Sequence, residues 1–254
     1  MKAEKLILFA IVLIALTGCA VMDTSVMDTA EPMKPGHVKL ESFASMGVIL
    51  ESAVYEEEDD GEVTESNNVR SAGMWPVMGL KLAIGIPDSS EVGAKGWLSS
   101  STTGVKAYFK KQVYRKGNVY HALIPALTYS GIKTDNSDDE YNGDYGDVNY
   151  SDYKYSSIGF ELPYLITTKL AEEVALTTAV RANYNYLEYQ YVNNTGALVK
   201  RGPYNIFHAG VLVNARVKLG WVVVTPEVGV ELVPVINGDF TMLPNVGLTL
   251  GLQF

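Results

Sequence analysis

Between residues 37 and 254, apolar side chains recur at every second position, segment after segment, with turn residues between the segments. A period of two marks a β-strand with unlike faces, because successive side chains leave a strand on opposite sides. In the last segment Val246, Leu248, Leu250, Leu252 and Phe254 share one face, opposite Gly247, Thr249, Gly251 and Gln253. Earlier, Val224, Val228, Val230 and Leu232 oppose Thr225, Glu227, Gly229 and Glu231. Phe207, Val211, Val213 and Val217 oppose His208, Gly210, Asn214, Arg216 and Lys218. Ten segments follow this rule: 37–55, 73–86, 91–99, 104–113, 118–131, 154–167, 173–192, 204–218, 221–234 and 242–254. The expected fold is all-β, a closed antiparallel up-and-down β-barrel of about ten strands (8–10), for which this length suffices as one domain.

Alternation does not say which face meets water. Three features put lipid outside and charge inside, making the barrel transmembrane. The polar faces carry Glu41, Glu51, Lys81, Lys95, Lys106, Lys110, Glu161, Arg181, Arg216, Glu227 and Glu231, which can pair across a narrow lumen. Tyr164, Tyr184, Tyr186, Phe207 and Trp221 suit the membrane–water boundary, where an aromatic ring with a polar edge is stable. Connections after the first, fifth and seventh segments run about 17, 22 and 11 residues, against about 2–5 after several others. Membrane barrels pair short periplasmic turns with long external loops, and an even strand count then puts both termini in the periplasm. A soluble, lipid-anchored, lipocalin-like barrel holding a small hydrophobic ligand is the rival reading. It requires the apolar faces to point inward.

The final strand resembles the C-terminal signal of small bacterial outer-membrane β-barrel proteins, an alternating apolar strand that ends in Phe254. That resemblance implies an outer-membrane location and recognition by the barrel-assembly machinery, and no particular activity.

At the other end, Lys2 and Lys5 precede an apolar run from Leu6 to Leu16, too short for a transmembrane helix but suited to a secretory signal. The run ends in Leu16-Thr17-Gly18-Cys19, which resembles the lipobox of bacterial lipoproteins. The resemblance implies cleavage before Cys19, acylation of that cysteine (palmitate or a similar chain), and, with Ala20 rather than aspartate next, onward export. Cys19 is the chain's single cysteine, so none is left for a disulfide, a metal or a nucleophile. Residues 20–36 duplicate Val-Met-Asp-Thr and contain Pro32 and Pro35. They read as a flexible tether. The expected organisation is a signal peptide (1–18), a lipidated N-terminus with tether (19–36) and a barrel (37–254).

Two segments hold dense acids. Residues 55–73 carry Glu56, Glu57, Glu58, Asp59, Asp60, Glu62 and Glu65, and residues 132–153 interleave acids with Tyr141, Tyr145, Tyr150 and Tyr153. Asp135, Asp138, Asp139 and Asp144 are weak calcium candidates. Calcium wants six to eight oxygens, yet Glu140 replaces the turn glycine and Gly146 the bidentate acid of an EF-hand loop. The simpler reading is a solvated loop whose tyrosines offer contact area to a partner. His37, His121 and His208 form no paired-ligand motif, and no nucleophile elbow or phosphate loop is present. No enzyme activity and no cofactor are expected. A net charge of −9 without a basic stripe makes nucleic acid an unsuitable partner. The expected partners are outer-membrane lipid and a surface polysaccharide or protein. Ten strands lie near the size that side chains fill, so negligible conductance is expected.

Overall fold

The computed structural model describes residues 20–52, 56–59, 62–65, 69–99, 102–135, 152–192, 198–234 and 240–254. The wall comprises β1 (Val38–Ser52), β2 (Val69–Ile86), β3 (Ser90–Leu98), β4 (Thr103–Lys116) and β5, in two parts (Val119–Leu123 and Ala126–Asp135). It continues with β6 (Asp152–Lys169), β7 (Val174–Val192), β8 (Leu198–Leu219), β9 (Val222–Pro234) and β10 (Phe240–Gln253). Each strand pairs antiparallel with the next, and β10 returns to β1 from Gly247↔Ser45 to Gln253↔Lys39. The barrel is therefore closed, with ten strands.

Four tight turns define one rim: 87–89, 117–118, 170–173 and 220–221. Gly117 (φ 56°) and Gly220 (φ 65°) open two-residue hairpins with the positive φ that such turns require at their first central position. The opposite, long-loop rim carries the ends of β1, β5 and β7, with a small hairpin, Glu56↔Glu65 to Asp59↔Glu62, beyond β1.

The two faces decide between the readings raised by the sequence. Val228, Val246 and Leu250 are 57%, 51% and 51% exposed on the outer surface, while Glu231 and Lys110 are 0% exposed inside. A lipocalin-like interior is thereby excluded. On β7 the outward residues run Leu176, Thr178, Val180, Ala182, Tyr184 and Tyr186 before turning charged at Glu188. That apolar stretch matches the about 9–11 residues of a strand crossing a bilayer. Its upper edge is marked by tyrosine hydroxyls that find polar partners: Tyr184 donates to Asn205 Oδ1 at 2.6 Å and Tyr186 to Glu188 Oε1 at 3.1 Å. Phe207 and Trp221 also project outward. Tyr164 is partly covered, its hydroxyl 2.7 Å from His121 Nδ1 near the short-turn rim.

The largest departure from expectation is at residues 20–36. Instead of hanging free as a tether, the chain threads the lumen. Ala20–Met22 pairs antiparallel with β1, from Ala20↔Leu50 to Met22↔Val48, along the edge that β10 occupies lower down. Residues 23–33 then leave the wall and descend through the interior, where Met22, Met27, Ala30 and Met33 are buried. At the short-turn rim, Lys34-Pro35-Gly36-His37 reverses the chain into β1, with Gly36 at φ 82° and His37 N donating to Lys34 O at 3.1 Å. Proline then glycine in the central positions is the composition of a type II turn. This segment is an additional crossing that strand parity does not count. Ala20 therefore lies toward the long-loop rim and Phe254, hydrogen-bonded to Val38, at the other, whereas parity had put both ends on one side. Cys19 and residues 1–18 lie outside the described residues.

Candidate functional site

The lumen is the chemically distinctive part of the molecule. Period-two strands with charged inner faces project Lys39 and Glu41 from β1, Lys81 from β2, Glu91 and Lys95 from β3, and Lys106 and Lys110 from β4, all buried. Glu161 on β6 completes the group. Buried charges require partners, because an uncompensated ion loses its hydration without return. Five lysines meet only three wall glutamates here.

The deficit is met by the threaded segment. Asp28 sits between Lys81 (2.7 Å), Lys110 (3.0 Å) and Lys39 (3.3 Å). Asp23 faces Lys95 (2.6 Å) and Lys106 (3.4 Å). The wall glutamates fill the remaining positions: Glu91 at 2.7 Å from Lys110, Glu161 at 2.8 Å from Lys106, and Glu41 at 3.6 Å from both Lys39 and Lys81. Five buried lysines thus face five buried acids, of which the segment contributes two. The Val-Met-Asp-Thr duplication has a physical consequence, since each copy delivers one aspartate to one lysine group.

Polar contacts fix the segment's backbone. Asn245 Nδ2 donates to Thr24 O (3.2 Å), Asn214 Nδ2 to Asp28 O (3.0 Å), and Ala30 N to Thr167 Oγ1 (2.7 Å). The amides of Val26 and Met27 both donate to Glu227, at 3.1 and 2.6 Å. Met27 has φ 42°, so two consecutive amides converge on one carboxylate, an anion-holding nest. Left-handed backbone at a residue with a Cβ costs about 1–2 kcal/mol, and this double contact compensates for it. Wall glycines make room: a Cβ on Gly85 would collide with the Lys34 carbonyl oxygen, and one on Gly247 with the Met27 methyl.

Across the lumen the wall supplies an ion pair of its own. Arg181 pairs with Glu231, whose other oxygen lies 3.1 Å from His208 Nδ1. Asn185 Nδ2 is 3.2 Å from His208 Nε2, an arrangement that suits a proton on Nδ1 directed at Glu231. At the short-turn rim a cleft of about 350 Å³ opens beside the segment, where Glu31 meets Lys169 at 2.9 Å.

Of the residues the sequence pointed to, Glu41, Lys81, Lys106, Glu161, Arg181, Glu227 and Glu231 lie buried in the lumen. Arg216 is only half-buried, at the rim, donating to Gln253 Oε1 at 2.6 Å. Lys39 and Glu91 were missed, although their parity matches that of Glu41 and Lys95. Asp23 and Asp28 were missed because an irregular chain has no period to read. Among the calcium candidates, Asp138, Asp139 and Asp144 lie outside the described residues, and of Asp135 only its place at the end of β5, opposite Asp152, is described.

No protein-family model matches the chain, and no curated protein matches it. Solved structures similar to it include three bacterial proteins. Ail, the attachment invasion locus protein of Yersinia pestis, shares 8% identity with a TM-score of 0.35, covering 87% of this chain and 99% of Ail. The outer membrane protease OmpT from Escherichia coli shares 11% with a TM-score of 0.46, covering 90% and 99%. The Pseudomonas putida toluene transporter TodX shares 8% with a TM-score of 0.33, covering 94% and 74%. Likeness this distant carries no argument about activity. The assignment of the fold rests on strand pairing and on the two faces: this chain is a closed, ten-stranded antiparallel barrel with a lipid-type exterior and an ion-paired interior.

Proposed function

We propose that the chain is an outer-membrane barrel lipoprotein, sealed by its own N-terminal segment, that displays acidic, Tyr-rich loops for a structural or surface-interaction role without catalysis. The observation that carries this reading is the segment itself. Among the described residues, a lumen crossed by a polypeptide whose aspartates are locked to five lysines leaves no free path for solute from rim to rim. What the barrel offers its surroundings is then its outer belt, to lipid, and its loops, to a polysaccharide or protein. Phe254 serves the assembly machinery.

Acylation of Cys19 fits the same reading with an altered topology. Ala20 lies near the rim that carries the long loops, so a lipid on the preceding residue anchors on the loop face, in the outer leaflet if those loops face outward. Intact cells test the orientation. In a Cys19→Ala background, Glu62→Cys should react with an impermeant maleimide on whole cells, and Asn118→Cys only after the outer membrane is permeabilised. The reverse pattern refutes the orientation. Release of the Cys19→Ser protein into the aqueous phase without detergent refutes membrane embedding altogether.

A further inference from the structure

We infer that the barrel holds a latent pore for small inorganic anions, kept closed by residues 22–34. The inference rests on the proposed reading that the intact chain is sealed, and goes beyond it. Two observations carry it, one steric and one electrostatic.

The steric one concerns what the wall encloses. Barrels of this size are ordinarily filled by wall side chains alone. Here the wall stands back far enough for a chain with its own side chains to pass from Met22, beside Val48 of β1, to the rim turn at Lys34. Inner positions that would otherwise fill this path are small, as at Ala83, Ala122, Ala179 and Gly247, and Met27 fills the space over Gly247. Removing the segment leaves a water-sized passage along its whole course.

The electrostatic observation concerns what the passage would present. The segment takes Asp23 and Asp28 with it, and the only cation it carries, Lys34, is exposed at the rim. Lys39, Lys81, Lys95, Lys106 and Lys110 remain on β1 to β4 with three glutamates between them, an excess of two positive charges on one side of the passage. Opposite, Arg181 stays paired with Glu231, and Glu227 alone loses its amide partners. Charged rings of this sign select anions. Among the described residues, the one covalent link between segment and wall is the rim turn at residues 34–37; above it, retention in the lumen depends on ion pairs and hydrogen bonds.

Planar-bilayer recordings in KCl test this with three proteins: the intact chain, a chain lacking residues 22–34, and an intact barrel cut after refolding. For the third, a protease site placed at the exposed Pro35-Gly36 turn is cleaved in the folded barrel, and the released segment is washed out at high salt. This version decides the matter if the deleted chain does not fold, as judged by its mobility on unheated gels. The intact chain should be silent, and the emptied barrel should show discrete steps with a reversal potential displaced toward that of chloride. Replacing Lys81 and Lys110 with methionine in the emptied barrel should abolish that displacement. A silent or cation-selective emptied barrel overturns the latent pore and leaves the sealed reading standing. Large stable steps from the intact chain overturn the sealed reading itself.

Discussion

The two sides of the lumen solve the same problem differently. On β7 to β9 most of the pairing stays within the wall: Arg181 meets Glu231 across β8, and His208 meets Glu231, Asn183 and Asn185, while Glu227 alone takes the segment's Val26 and Met27 amides. On β1 to β4, the wall is short of acid, and Asp23 and Asp28 must come from a segment outside the sheet. Apart from Glu227, the first side has its ion partners as soon as the sheet closes. The second is complete only when the chain has been threaded, so it couples barrel closure to the position of the N-terminal residues. A buried lysine group without its acids is strongly destabilising, which gives the wall a preference for the plugged state.

The largest effect should come from Asp28→Asn, which leaves Lys39, Lys81 and Lys110 with only Glu41 and Glu91. A loss of about 3–5 kcal/mol is expected for one partner removed from a buried ion network, read as a lower temperature for the heat-induced shift on gels. An unchanged midpoint would dissolve the distinction between the sides. Next, Lys110→Met should cost much less in the Asp28→Asn chain than in the native one, with a coupling of about 1–3 kcal/mol, whereas Arg181→Met and Asp28→Asn should be close to additive. Coupling of equal size in both cycles would mean that the segment serves the whole lumen alike. Gly85→Val drives a side chain into the Lys34 carbonyl and should cost about 1–3 kcal/mol by overpacking. It should also raise protease sensitivity at residues 34–37, which a wall-only defect would not do. The smallest effect should belong to Arg181→Met combined with Glu231→Leu, since both charges leave together and burying apolar groups in their place is often near neutral. A loss as large as that of Asp28→Asn would show that this side, too, needs its charges.

Much of this was legible in the sequence, and for one reason. A wall strand must show one face to lipid and the other to the lumen, so its side chains betray its place by parity. Val228 and Glu231, three residues apart, go to opposite faces, and the same rule finds ten strands and most of the lumen charges. Lys39 and Glu91 obey it as well, but each is only the second residue of its strand, with almost no alternation before it. The threaded segment obeys no such rule. Its conformation is set by partners as near as 11 residues and as far as 222, from Lys39 for Asp28 to Thr249 for Met27, with no period to reveal them. Pro32, Pro35 and the polar repeat then look like a tether. Two signals were present nonetheless. Pro35-Gly36 specifies a reversal that would bring the chain back along β1, and the duplicated Met-Asp pairs combine packing groups with charge, which a solvated linker does not need.

A plugged lumen requires residues 23–30 to be enclosed within it, and cysteine accessibility tests that directly. In the Cys19→Ala background, Ser25→Cys and Thr29→Cys replace side chains that are 3% and 2% exposed, and Lys34→Cys replaces an exposed one at the rim. In the folded, detergent-solubilised barrel, the first two should resist maleimide while the third reacts, and all three should react after heat unfolding. Equal, rapid labelling at all three positions in the folded barrel would mean that the segment hangs free, and the plugged lumen would have to be abandoned.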